Sequence, residues 1–110
     1  MNESNSTPEQ DDNKKFIQMA DSFIDLANQH CETTQNPLVN ASMLYGTARF
    51  CAFITASMAE SKTSYEDNID NAIAYYNEEF GKMLREHMEQ YKSVFQETPR
   101  YEHLMKKNRK

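Results

Sequence analysis

The run NASMLYGTARFCAFITASMA, Asn40 to Ala59, constrains this chain more than any other stretch, because Arg49 is its single charge among alanines, aromatics and small hydroxyls. Apolar groups recur there at every helical spacing, so it reads as one helix that belongs in an interior. On a wheel of about 100° per residue, Ala41, Ala48, Ala52, Ala56 and Ala59 fall on one side with Tyr45, while Met43, Leu44, Phe50, Cys51, Ile54 and Met58 fall on the other. The thin side admits a close neighbour and the bulky side needs a groove, so helices are expected against both. The run has roughly the length of a membrane span. Its central arginine, its Gly, Ser and Thr, and its scarcity of aliphatics favour the middle of a water-soluble bundle instead.

On either side the pattern is amphipathic. Thr7, Pro8 and Gln10 offer a cap, a first-turn proline and a capping box, followed by a polar turn through Asn13. From Lys14 the residues Phe16, Ala20, Phe23, Ala27 and His30 recur in steps of three and four, flanked by Ile17, Ile24, Cys31, Met19 and Leu26, as far as Thr33. Asn36 before Pro37 signals a turn and a helix start, with Asn40 a further candidate cap, and Ser61 to Ser64 is a second short connection. Ser64 with Asp67 three positions on resembles a capping box. Short connections make consecutive helices antiparallel.

The third helix is expected to be the longest. Tyr65, Ile69, Ala72, Ile73, Tyr76, Phe80, Met83, Leu84, His87, Met88, Tyr91, Val94 and Phe95 keep the rhythm up to Pro99, which predicts about thirty residues, on the order of 50 Å. The fold class is therefore all-α, a three-helix up-down-up bundle. Residues 1–13 form a frayed polar head, 14–98 a single helical domain and 99–110 a basic tail. Helices of twenty to twenty-five residues are too short to cover the third, so Met88, Tyr91, Val94 and Phe95 should overhang as an apolar stripe, the mark of a subunit interface. A homodimer or higher oligomer is expected; the alternative is a break near Gly81 that folds the helix back.

Charge and cysteine usage narrow the partners. Residues 1–99 carry 7 basic and 16 acidic groups, net -9, and residues 100–110 carry 5 basic and 1 acidic, net +4. An acidic body repels nucleic acid and anionic membrane, leaving nucleic acid to the tail alone through Arg100, Lys106, Lys107, Arg109 and Lys110. The start of the chain lacks a leader-like apolar run, and Cys31 and Cys51 form no C-x-x-C, which points to free thiols and a cytoplasmic protein.

No enzyme signature and no cofactor emerge from the residues. The glycines Gly46 and Gly81 fall inside predicted helices and form no phosphate loop, Gly46 instead permitting close helix contact; no Glu-x-x-His or H-E-x-x-H occurs to hold a metal. Arg49 is the most informative polar residue. Inside a bundle its guanidinium needs a carboxylate, with Asp21, Asp25, Glu78 and Glu79 the candidates, and this ion pair would set helix register. The functional alternative is an anionic or aromatic ligand held between helices by Arg49, Tyr45 and Tyr76.

The pieces FIDLANQHCE, VNASMLYGTARFCAF and AIAYYNEEFGKMLREHMEQY together resemble a family of small proteobacterial proteins, the domain of unknown function 3144, over Phe16 to Tyr91. The resemblance implies an all-helical fold and a bacterial source, and it assigns no activity, cofactor or catalytic residue. The residues and the resemblance together point to a self-associating interaction or regulatory module, with the ligand-binding protein as the alternative.

Overall fold

The computed structural model describes residues 8–97, with side chains through Phe95. Expectations for the first seven residues and for the basic tail lie outside the described residues. Within them the chain is all-α: α1 is Pro8–Cys31, α2 is Asn36–Met58 and α3 is Lys62–Glu97, in that order. It divides into two units, Met1–Ser57 with α1 and α2, and Met58–Lys110 with α3.

In the first unit, α1 begins at Pro8, whose fixed φ and missing N–H suit a first helical turn. It closes as the Glu32 and Thr33 amides donate to the Gln29 and His30 carbonyls, each at 3.2 Å, a tightening to i−3 partners that satisfies terminal carbonyls. Helix α2 opens where the Gln35 carbonyl accepts from the Leu38 and Val39 amides at 3.1 and 3.2 Å. Pro37 thus sits in the first turn, and Asn40, expected as a possible cap, lies inside the helix.

The central helix departs most from expectation. Within a single chain it is not interior: Val39 is its one buried residue, and Ala41, Ala48, Ala52 and Ala56 are all exposed, with Tyr45 at 70%. The half-buried residues Cys51, Ile54 and Thr55 share one half of the helix with Val39, the bulky side. One amphipathic neighbour such as α1 covers one arc of a helix, and α2 is apolar around its whole circumference. Its hydroxyls are satisfied locally, Thr55 Oγ1 donating to the Cys51 carbonyl at 2.9 Å and Ser57 Oγ to the Ile54 carbonyl at 2.8 Å. Apart from its own helix backbone, a Cβ built at Gly46 meets no atom of the described residues within 4 Å, so none of them makes the close approach expected there.

The second unit is one unbroken helix of 36 residues. It runs straight through Gly81, so the fold-back alternative does not occur. Its start is fixed by Ser61 rather than Ser64: the Ser61 carbonyl accepts the first helical bond from the Tyr65 amide at 2.9 Å. Ser64 is the third helical residue and completes the box, which lies one turn earlier than the Ser64 and Asp67 pair suggested. Lys82 reaches Glu79 at 3.3 Å and Glu78 at 4.0 Å, and Lys92 reaches Glu89 at 2.8 Å. These exposed pairs, three or four residues apart, each contribute about 0.2–0.5 kcal/mol to the helix.

Candidate interaction surface

Partial burial along α3 is uneven. Tyr65, Ala72, Tyr76 and Glu79 are half-buried and spaced by seven, four and three, one line along the N-terminal half. Beyond Glu79 the apolar residues Phe80, Leu84, Met88, Tyr91 and Phe95 follow at steps of four, four, three and four, and every one is exposed, Met88 at 64% and Tyr91 at 66%. Val94, on the margin of that stripe, is half-buried. The stripe therefore exists as the periodicity predicts, and it begins at Phe80, about two turns before the residues singled out from sequence.

The helix that carries it is much the longest of the three. At about 1.5 Å per residue, α3 extends about 54 Å, against about 36 Å for the 24 residues of α1 and about 35 Å for the 23 of α2. Five large apolar side chains on one face over residues 80–95 form a continuous patch rather than scattered surface hydrophobes.

The Arg49 constellation has a different setting from the one expected. Arg49 is exposed on the open side of α2, where no burial obliges it to find a carboxylate, and it makes no ion pair with Asp21 or Asp25 within its unit. Glu78 and Glu79 are engaged by Lys82 on their own helix. Tyr45 lies exposed one turn before Arg49, whereas half-buried Tyr76 belongs to the other unit and stacks edge-on with Tyr75 at 5.4 Å. A shallow depression on α1, lined by Lys15, Gln18, Met19 and Ser22, involves none of these residues.

Cys31 and Cys51 are free and half-buried. Among the described residues no three His, Cys, Asp or Glu side chains gather to hold a metal ion, and no helix is long and apolar enough to cross a membrane.

A family model described as "Protein of unknown function (DUF3144)" matches residues 16–92, spanning the third turn of α1 onward, all of α2 and most of α3. The chain belongs to the DUF3144 family. No curated protein and no solved structure matches it. The DUF3144 match stops at Lys92, so the shared part contains Phe80, Leu84, Met88 and Tyr91 of the stripe and leaves Val94 and Phe95 outside. The sequence signal that would have extended the stripe to Phe80 is its spacing of four to Leu84, which continues the rhythm of the last turns without interruption.

Proposed function

We propose that this DUF3144 chain is a bacterial, cytoplasmic helical module that works by associating with itself as a homodimer, completing a helical bundle, and not by catalysis. One observation carries the reading. A chain of this size has enough residues for a core of its own, yet Val39 is the one buried residue among those described, and twenty-two large apolar side chains stand exposed. Exposed apolar surface of that extent is stable in water when a second surface covers it, at about 25 cal/mol per Å² removed from solvent. Free cysteines agree with a reducing compartment. The last turns of α3, with Met88, Tyr91, Val94 and Phe95, are the expected interface.

The test is sedimentation equilibrium over a wide concentration range, with Tyr91→Glu/Phe95→Glu alongside. The reading expects a mass that rises to twice the chain mass and a double variant that stays monomeric while remaining helical by circular dichroism. A native chain that is monomeric at every concentration rejects it.

A further inference from the structure

We propose that the α3 stripe docks on the same stripe of a second copy, antiparallel to it and centred between His87 and Met88; this rests on the self-association reading and names what receives the stripe. The decisive feature is its spacing. Phe80, Leu84, Tyr91 and Phe95, all exposed, stand at steps of four, seven and four, which read the same from either end. A two-fold contact between antiparallel helices sets each residue against a fixed complement on the second copy, so an apolar pattern satisfies it only when it is symmetric in this way. About a centre between His87 and Met88, Phe80 meets Phe95 of the second copy and Leu84 meets Tyr91, while Met88 lies at the axis beside His87 of the second copy and its own counterpart.

The paired side chains interlock. At about 100° per residue, Phe80, His87 and Tyr91 fall on one side of the midline of the stripe and Leu84, Met88 and Phe95 on the other. Every pair therefore joins one residue from each side, and the two pass beside each other at the same height. Charge does not oppose the contact. Residues 80–97 hold Lys82, Arg85 and Lys92 against Glu86, Glu89 and Glu97, net zero, and Lys92 is bonded to Glu89 of its own helix. Arg85 and Lys92 stand about 90–110° round the helix from the midline, where their charged ends stay in water.

The residues before the stripe choose the direction. Glu66 and Asp70 precede Leu84 and Met88 by eighteen residues, five full helical turns, so both exposed acids lie on the same line of α3 as the stripe. Two parallel copies in register would set Glu66 against Glu66 and Asp70 against Asp70, like charge on like along the contact. The antiparallel pair overlaps over residues 78–97, about 30 Å of helix, and leaves both acids in water. Aromatic side chains bury about 150–250 Å² each when fully covered, so five large side chains that are already part-covered supply on the order of 500 Å² per copy. The pair then reaches the roughly 1,000 Å² that a specific interface needs.

The experiment is disulfide mapping on the full chain, with Cys31 and Cys51 left in place and the joined peptides identified by mass spectrometry. Met88→Cys, Leu84→Cys and Tyr91→Cys are each oxidised at a concentration where the reduced variant sediments as a dimer, and the last two are also oxidised as a mixture. The expected result is that Met88→Cys joins to itself and that Leu84→Cys joins to Tyr91→Cys in the mixture. Either of the last two alone should self-join at least tenfold less, because its two copies stand about 10 Å apart along the helix axis, beyond the reach of a disulfide. A Leu84→Cys variant that joins to itself as readily as Met88→Cys overturns the antiparallel pairing. Absence of both expected disulfides from dimeric variants overturns this docking and leaves self-association standing, and a native chain that is monomeric at every concentration overturns both readings. Circular dichroism of each variant confirms that its helices are formed.

Discussion

Ser61 and Ser64 cap each other at the start of α3: the Ser64 amide donates to Ser61 Oγ at 3.1 Å, and the Ser61 amide donates to Ser64 Oγ at 3.1 Å. Two backbone donors that a helix start otherwise leaves to water are satisfied reciprocally, by two short side chains instead of the usual Ser and Glu. The same residues end the three-residue connection from α2, so one local device both stops the loop and starts the longest helix in the chain.

Ser61→Ala is expected to destabilise the protein by about 1 kcal/mol, the usual loss for removing a cap hydroxyl. Ser64→Ala removes the other half of the same box, so the double variant should lose less than the sum of the singles. Urea unfolding of the three variants measures this. Additive losses would show that the two hydroxyls act independently.

Gly81 and Gly46 occupy helix interiors where an added Cβ meets no atom within 4 Å. Gly81→Ala and Gly46→Ala should therefore each stabilise by about 0.5–1 kcal/mol, through the helix propensity that glycine lacks. Thermal melting of each variant checks it. A loss of stability at Gly46 would reveal a close approach that the single chain does not contain.

Val39 is the one buried residue of α2, 9% exposed, and Val39→Ala removes two carbons from that position. The expected cost is roughly 1.5 kcal/mol at about 0.8 kcal/mol per buried carbon. Ala52→Leu on the open side of the same helix should change stability by less than about 0.5 kcal/mol in the monomer. Comparing the two by urea unfolding at high dilution separates the sides of α2. An Ala52→Leu loss of a kilocalorie or more would mean that the alanine side is covered after all.

The helices were legible in the sequence because each is an apolar rhythm bounded by turn chemistry, and the rhythm of α3 runs through Gly81 unbroken, as the helix itself does. Helix starts were less so. Serine at both Ser61 and Ser64 can cap, and which one does depends on the backbone geometry of the preceding loop. Burial was the least legible property. The composition of Asn40 to Ala59 says that the segment avoids water, but it does not say whether the covering surface comes from the same chain, and in the single chain the alanine side is open. Arg49 follows from that, since its expected need for a carboxylate assumed a buried helix.

Self-association as the means of covering the apolar helices is tested most directly by the melting temperature of the native chain as a function of its concentration. A fold completed by a second copy gains stability by mass action, so the midpoint should rise steadily over a hundredfold increase in concentration. A midpoint that stays constant across that range, with a monomeric mass throughout, would contradict the account.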